Sequence, residues 1–309
     1  MPPTKTIIIG ARTSPLALWQ TNYVKQKLEE AWPGLVCRLE TFVTQGDKTL
    51  DKPLPEIGGK GLFTAELEAA LMHGRIDIAV HSLKDLPVAD TNGLIVGAIS
   101  PRADARDVLV AREKWTLGNL PLGATVGTSS LRRQAQLLHA RPDLNIQSIR
   151  GNVDTRLRKV QEGQYDATIL AAAGLTRLGL ENHIAQYLPL DIMLPAPGQG
   201  ALAVQCRVED TTVLSLLAAV EDAETRCCVE AERAFLDGLG SGCSLPVAAY
   251  ATMPSDKIML TGLVAAGDGR RVIEVQGHGR DPLQLGRKLA EKALAQGAAA
   301  LLRFSGSKS

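Results

Sequence analysis

Arginine side chains recur in the polar turns that precede predicted helices. The set comprises Arg12, Arg132, Arg133, Arg150 and Arg156. Free backbone N–H groups and the helix dipole attract anions at a helix start, and a guanidinium group adds paired donors that match a carboxylate. Taken singly, each arginine has the alternative of being a solvated surface charge. Their recurrence after strand ends predicts a ligand that carries several carboxylates.

A hydroxyl, an ammonium and a carboxylate follow one predicted strand. They belong to Ser82, Lys84 and Asp85. Asp85 is the candidate for proton transfer, because a carboxyl group at a sheet edge can donate or accept a proton from a bound ligand. The alternative for Asp85 is structural, an ion pair with Lys84 or a turn cap.

Two glycine-rich segments add candidates of other kinds. Lys60 lies among glycines shortly before Phe63, without the spacing of a nucleotide P-loop. This segment predicts a mobile lid, with an ordinary surface loop as the alternative. Cys243 stands between Gly242 and Ser244, where a bulky group could approach the sulfur closely. The alternative for this cysteine is a small buried residue.

The elements that must position these side chains alternate between strand and helix patterns. In the first hundred residues, strands are predicted at 6–9, 35–43 and 77–80, with helices between them. Ser14 followed by Pro15 is a typical helix start, because serine caps free backbone donors and proline suits the first helical position. This alternation predicts a sheet flanked by helices.

A second set of the same kind follows. Its predicted strands are at 107–110, 125–127, 146–149 and 167–171. The proline- and glycine-rich segment 195–200 predicts a crossover or hinge. The strand pattern at 201–206 could return to the first sheet.

From residue 212 onward the pattern changes to helices, short strands and a long final helix from Pro282. We therefore predict an α/β chain with a small C-terminal α+β domain. The predicted division is 1–100 with 201–218, then 101–200 with hinge segments, then 219–309.

The composition excludes several classes of protein. The 309 residues carry a net charge of +1 and 4% aromatic residues, which argues against a nucleic-acid surface. No transmembrane span or signal peptide is predicted, so we expect a cytoplasmic protein without a membrane partner. The five cysteines include no CxxC pair and the five histidines no HExxH pair. We therefore expect neither a disulfide framework nor a bound metal.

Several motifs, in their order along the chain, resemble those of the porphobilinogen deaminase family. They are Arg12 with Ser14–Ala17, Gly58–Phe63, His81–Pro87, Gly127–Arg133, Arg150–Arg156, Ala172–Gly179 and Leu194–Gly200. The resemblance spans nearly the whole chain and is densest up to about Cys206.

The resemblance implies three domains, of which the first two resemble type II periplasmic binding proteins with the active site between them. It also implies a dipyrromethane cofactor, attached through a thioether to Cys243 in the third domain. The chain has Ser241-Gly242-Cys243-Ser244 where the family pattern is Gly-Gly-Cys-Gln, so the sulfur is retained while its neighbours differ.

The implied activity is the stepwise condensation of four porphobilinogen molecules into linear hydroxymethylbilane, with release of ammonia, in tetrapyrrole biosynthesis. Asp85 would be the catalytic residue, because it can stabilise positive charge on the pyrrole and move protons. The implied cofactor-binding set is Cys243, Ser82, Lys84, Asp85, Thr128, Ser129, Ser130, Arg132, Arg133 and Gly151. The implied substrate-binding set is Arg12, Ser14, Arg150, Arg156 and Arg177, and the implied lid set is Lys60 and Phe63. The family also implies a monomer, which could hand its product to uroporphyrinogen III synthase.

Two other classes of function compete with this interpretation. A noncatalytic hinged protein that closes on a small anion would need only the first two domains, and it would need neither Asp85 nor Cys243. An anion-binding transcriptional regulator would need a DNA-reading helix or a basic patch, and the sequence shows neither.

Overall fold

The chain divides into two compact units. The computed structural model describes residues 6–48, 62, 64–89, 91–240 and 245–304. Within these residues, unit 1 contains 6–103 and 201–226, and unit 2 contains 104–200 and 227–304. The division of unit 2 into a second and a third domain stays a prediction.

Unit 1 is built on a five-stranded sheet. Its strands are β1 (Thr6–Arg12), β2 (Val36–Phe42), β3 (Ile78–Ser82), β4 (Leu94–Ile99) and β10 (Leu202–Arg207). Their order in space is β2-β1-β3-β10-β4, with β1 parallel to β2 and β3, and with β10 antiparallel to β3 and β4. The position of β10 confirms the prediction that this segment returns to the first sheet.

Helices pack on the sheet of unit 1 and bury its apolar side chains. They are α1 (Pro15–Ala31), α3 (Ala65–Met72) and α7 (Thr211–Leu217), while the short helix α2 (Gln45–Lys48) lies between β2 and α3 in the chain. The Ser14 hydroxyl accepts the Ala17 N–H at 3.3 Å, which confirms the predicted start of α1. Val24 and Leu28 of this helix are buried in one apolar cluster with residues of β1 and β3. This packing holds helix α1 against both strands.

Unit 2 contains a second five-stranded sheet of the same design. Its strands are β5 (Asp107–Ala111), β6 (Thr125–Gly127), β7 (Asn145–Gln147), β8 (Ala167–Ala171) and β9 (Gln186–Tyr187). Its helices are α4 (Leu131–Ala140), α5 (Val153–Gln161) and α6 (Ala172–Leu178). The order in space is β7-β6-β8-β5-β9, with β6 parallel to β7 and β8, and with β5 antiparallel to β8 and β9. The sequence predicted the alternation of elements here, but it did not predict β9.

A three-stranded antiparallel sheet completes unit 2. Its strands are β11 (Val247–Thr252), β12 (Ile258–Ala265) and β13 (Val272–Gly279), paired in that order. Three helices accompany it: α8 (Ala223–Gly238), α9 (Pro282–Ala295) and α10 (Ala298–Phe304). Gly262 of β12 leaves room for the Phe235 ring, because a Cβ at this glycine would lie 2.5 Å from the ring. The mixed α/β class and the small C-terminal α+β part are confirmed.

The turn between β12 and β13 binds the side of helix α4. Gln134 Nε2 donates to the carbonyl of Gly267 at 3.2 Å, and His139 Nδ1 lies 2.9 Å from the carbonyl oxygen of Gly269. Ala135 of α4 is buried in one cluster with Leu263 of β12. Helix α4 is therefore held on one side by the three-stranded sheet.

Gly269→Ala should loosen this contact. Gly269 has a φ of +71°, and an added Cβ would lie 2.5 Å from the backbone nitrogen of His139 and 2.6 Å from the carbonyl oxygen of Ala135. We expect a loss of about 3 kcal/mol in the free energy of unfolding, measured in urea. Gly123→Ala is the matched control, because Gly123 has a φ of +74° with no heavy atom within 4 Å, and about 1 kcal/mol is expected there. Equal losses in the two variants would contradict the close packing.

Candidate active site

The carboxylate of Asp85 is exposed at the carboxyl end of β3. The strand ends at Ser82, and one turn of 3₁₀ helix, Leu83–Asp85, follows it. The buried side chain of Leu83 and the hydrogen bond from its N–H to the carbonyl of Ala201, at 3.1 Å, fix this turn. In the part of the chain that the structure describes, no ion pair or hydrogen bond engages the carboxylate of Asp85. The alternative of an ion pair with Lys84 is therefore not found there.

The other candidates of unit 1 lie at the ends of β1 and β3. Arg12 ends β1 and is half-buried, and Ser14 caps α1 two residues later. Ser82 is half-buried, and its hydroxyl accepts a hydrogen bond from Gln20 Nε2 at 2.8 Å. Lys84 is also half-buried. The β1 and β3 strands are parallel neighbours, so the sheet brings these polar groups to one of its edges.

His81 of β3 is buried beside this edge and is neutral at pH 7. Only 5% of the residue is exposed, and its Nε2 has no hydrogen-bond partner within the described residues. Burial lowers the pKa of His81 to about 4; Gln205 on the adjacent strand opposes the shift, and the charge of Arg12 adds to it. His81 therefore carries no charge that would repel Arg12.

A cluster of hydroxyl side chains follows β6 in unit 2. The Ser129 hydroxyl donates to the carbonyl of Ile149 at 2.7 Å and lies 2.8 Å from that of Ser148. Ser130 caps helix α4, accepting from the N–H of Arg133 at 3.4 Å, and the Thr128 hydroxyl accepts from the N–H of Ser130 at 3.2 Å. The predicted residues are thus gathered in one turn, which their own hydrogen bonds shape.

Arg132 and Arg133 are buried and share one carboxylate, that of Asp107. Arg132 Nη1 donates to Asp107 Oδ2 at 2.7 Å, and Arg133 Nη2 donates to Asp107 Oδ1 at 2.7 Å. The exposed fractions of the arginine side chains are only 5% and 8%, and that of Asp107 is 0%. Burial alone would raise the pKa of Asp107, but the charges and hydrogen bonds of both arginines hold it well below its usual range. The sequence interpretation placed these arginines in the turn that opens a helix and did not identify their partner; its alternative of solvated surface charges is wrong for these two.

The turn before helix α5 collects the next predicted residues. Gly151 has a φ of +113°, and a Cβ there would lie 2.6 Å from the Thr155 side chain, so this turn requires glycine. Arg156 Nε donates to the carbonyl of Gly151 at 2.9 Å, and Asn152 caps the helix by accepting from Thr155 N–H at 2.9 Å. Burial lowers the pKa of Arg150, which precedes the glycine. Arg150 and Arg156 are half-buried.

The proline- and glycine-rich segment 194–200 is held by hydrogen bonds along its length, and we call it the strap. Arg132 Nη1 donates to the carbonyl of Leu194 at 2.7 Å, and the Gly198 N–H donates to Glu232 Oε2 at 2.7 Å. Gln199 Nε2 donates to Asp107 Oδ1 at 2.9 Å. At the end of the strap, Arg177 Nη2 donates to the carbonyl of Gly200 at 2.7 Å. The predicted site residue Arg177 therefore contacts the strap.

Asp107 and Glu232 are the residues that the sequence interpretation missed. Both side chains are fully buried, and a buried carboxylate requires partners. One signal was present, since Asp107 opens a strand of otherwise apolar residues, Val108–Ala111. For Glu232, which also accepts the N–H of Ala251 at 2.7 Å, the helix pattern gave no comparable signal.

Three predicted residues lie outside the described part of the chain: Lys60, Phe63 and Cys243. Within the described ranges, no group of three or more histidine, cysteine or acidic side chains could hold a metal ion. No helix in these ranges is long and apolar enough to cross a membrane. The roles of the predicted site residues stay predictions.

Protonation of His81 should make stability depend on pH. Its pKa is about 4 in the folded protein and 6.5 in an unconstrained histidine, so the unfolded state binds the proton more tightly. The contribution of neutral His81 to the free energy of unfolding is complete above pH 6.5 and is lost as the pH falls towards 4. Between pH 7.5 and 5 we expect the urea-unfolding free energy to fall by about 2 kcal/mol from this group. In His81→Gln this pH-dependent loss of stability should disappear. If wild type and variant lose stability in parallel as the pH falls, His81 is not the source of the loss.

Family models match most of the chain. The model described as "Porphobilinogen deaminase, dipyromethane cofactor binding domain" matches residues 7–215, and "Porphobilinogen deaminase, C-terminal domain" matches residues 226–295. A porphobilinogen deaminase of Brevibacillus brevis is 51% identical over 295 residues, covering 95% of this chain and 96% of the relative. A porphobilinogen deaminase of Moorella thermoacetica is 51% identical over 299 residues, covering 96% of each.

The matches among solved structures are more distant. A putative methionine-binding lipoprotein of Bacillus subtilis is 11% identical with a TM-score of 0.43, covering 72% of this chain and 92% of that chain. The periplasmic aliphatic sulphonate binding protein SsuA of Escherichia coli is 16% identical with a TM-score of 0.41, covering 75% of this chain and 70% of that chain. At these identities, the ligands of those proteins carry no weight for this chain.

Proposed function

The chain belongs to the porphobilinogen deaminase family, and we propose that it condenses four porphobilinogen molecules stepwise into linear hydroxymethylbilane, releasing ammonia. The enzyme is a transferase of tetrapyrrole biosynthesis, and its cofactor is dipyrromethane. The observation that carries the proposal is the match to the cofactor-binding family model over residues 7–215. Within that range, the motif His81–Pro87, which resembles one of the family's motifs, carries the exposed carboxylate of Asp85 in the turn after a strand.

Asp85 is the catalytic residue in this proposal. Its carboxylate can accept a hydrogen bond from the pyrrole N–H of porphobilinogen and stabilise the positive charge that develops as ammonia leaves. In its protonated form it can donate a proton to the leaving group, so one side chain can serve both purposes. An exposed carboxylate without a protein partner among the described residues is available for both tasks.

The arginines supply the binding of the substrate's carboxylates. Each porphobilinogen carries an acetate and a propionate, so every added ring brings two carboxylates. The proposed substrate-binding set is Arg12, Ser14, Arg150, Arg156 and Arg177. Arg150 stays charged although burial lowers its pKa, because the guanidinium group does not lose its proton in proteins. Lys60 and Phe63 would belong to a lid over the substrate.

The hydroxyl, ammonium and guanidinium donors among the described residues suit the carboxylates of a dipyrromethane, and the carboxylate of Asp85 suits its pyrrole N–H groups. The proposed set is Ser82, Lys84, Asp85, Thr128, Ser129, Ser130, Arg132, Arg133 and Gly151, with Cys243 as the point of attachment. Two guanidinium groups against the one carboxylate of Asp107 leave a positive charge, which suits an acidic ligand. When bound, the dipyrromethane supplies the pyrrole carbon on which the chain is extended.

We extend the proposal to compartment, assembly and product transfer. Among the described residues, Cys37, Cys206, Cys227 and Cys228 are not joined in disulfides, which favours a reducing compartment such as the cytoplasm. Burial raises the pKa of Cys37 and of Cys206 to about 11, so these thiols are unreactive. A monomer that passes its product to uroporphyrinogen III synthase agrees with the family.

The intact mass of the purified protein tests the cofactor and its attachment together. Wild type should carry the added mass of a dipyrromethane, and Cys243→Ser should not, because serine cannot form the thioether. Both proteins are measured before and after incubation with porphobilinogen. Wild type without added mass after that incubation would refute the deaminase proposal.

Asp85→Asn should lower turnover without unfolding the chain. An amide is neither an acid nor a base near neutral pH, so hydroxymethylbilane formation at saturating porphobilinogen should fall by about 100-fold or more. The matched control is Asp191→Asn, an exposed acidic residue of unit 2, with turnover expected within about twofold of wild type. A similar turnover in both variants would remove Asp85 from the mechanism.

A further inference from the structure

Three donors from two segments, helix α4 and the strap, converge on the buried carboxylate of Asp107. The two guanidinium groups bind different oxygens, Arg132 at Oδ2 and Arg133 at Oδ1, both at 2.7 Å. Gln199 of the strap donates to Oδ1 at 2.9 Å. Because each arginine holds its own oxygen, neither guanidinium plane can turn without breaking a charged hydrogen bond in a buried site.

Arg133 also retains one donor that has no partner among the described residues. Arg133 Nη1 donates to the carbonyl of Ile169 at 2.9 Å, but the buried Arg133 Nε has no hydrogen-bond partner in the described part of the chain. The cluster of two guanidinium groups and one carboxylate carries a net charge of +1 and is at most 8% exposed at any side chain. An unbalanced buried charge is unfavourable, and a carboxylate of a bound ligand would balance it.

We propose that Asp107 is a positioning residue, which orients Arg132 and Arg133 for the carboxylates of the dipyrromethane. The inference rests on the proposed function, because it needs an acidic ligand at these arginines. Asp107 itself does not touch the ligand; it fixes the planes of both guanidinium groups and cancels one of their two charges. The remaining charge is the one that the ligand meets.

The chemistry of the carboxylate distinguishes two substitutions. Asparagine has nearly the same shape as aspartate, but its NH₂ group would meet one of the guanidinium groups, so that two donors oppose each other. Glutamate keeps both acceptor oxygens and the charge, but it adds one methylene to a fully buried site, which strains the packing. Stability and arginine orientation are therefore affected differently by the two variants.

The experiment compares Asp107→Asn, Asp107→Glu and a control at the other end of α4. The control is Asp143→Asn, because Asp143 accepts from Arg141 Nε and Nη2 at 2.7 Å each. For each protein, intact mass gives the fraction of chains that carry dipyrromethane, as purified and after incubation with porphobilinogen. Urea unfolding is measured in parallel.

The fraction of chains that carry dipyrromethane should depend on whether residue 107 has a carboxylate, and not on the stability of the variant. We expect the loaded fraction to fall about tenfold in Asp107→Asn and about threefold in Asp107→Glu, as for the loss or weakening of a hydrogen bond to a charged group. Asp143→Asn should load like wild type. Asp107→Glu should load better than Asp107→Asn even where its unfolding midpoint is lower.

Several outcomes would overturn the inference. Full loading of Asp107→Asn would do so, and so would a loaded fraction that simply follows the unfolding midpoint across the three variants. If Asp107→Asn does not fold, the test rests on Asp107→Glu. A loaded fraction of Asp107→Glu equal to that of wild type would then contradict the positioning role. Wild type without added mass would instead overturn the proposed function and this inference together, so the two failures are distinguishable.

Discussion

The buried carboxylate of Asp107 holds together three segments of unit 2 that are distant in the sequence. It joins the start of β5 to the first turn of α4 through Arg132 and Arg133, and to the strap through Gln199. Removing one partner of such a buried pair costs about 3–5 kcal/mol, because the remaining charge loses its compensation. Any change in this cluster therefore reaches the sheet, the helix and the strap at once.

Helix α4 connects the Asp107 cluster to the three-stranded sheet of unit 2. Its first turn carries the two arginines, and its later residues Gln134 and His139 bind the turn between β12 and β13. The strap runs alongside, bound by Arg132 at Leu194 and by Glu232 at Gly198. The small C-terminal sheet thus supports the same helix that carries the two arginines bound to Asp107.

Within each unit, the order of strands decides where polar side chains gather. Both five-stranded sheets contain three parallel strands followed by an antiparallel fourth strand. Parallel strands end at the same edge, so the turns after β3 in unit 1 and after β6 in unit 2 each present hydroxyl and charged groups at such an edge. This agrees with the rule that ligands of open α/β sheets bind beyond the carboxyl ends of strands.

The sequence by itself determined the features that depend on neighbouring residues. Ser14 and Pro15 specify the start of α1, Asn152 and Gly151 specify the turn before α5, and the motif order specifies the family. Only the tertiary structure decided that Arg132 and Arg133 are buried against Asp107, and that the proline- and glycine-rich strap is held along its length. Those contacts join residues 25 and 26 positions apart at Asp107 and 92 positions apart at Gln199. Local composition carries no information about such partners, because chain folding alone brings the charges together and removes them from water.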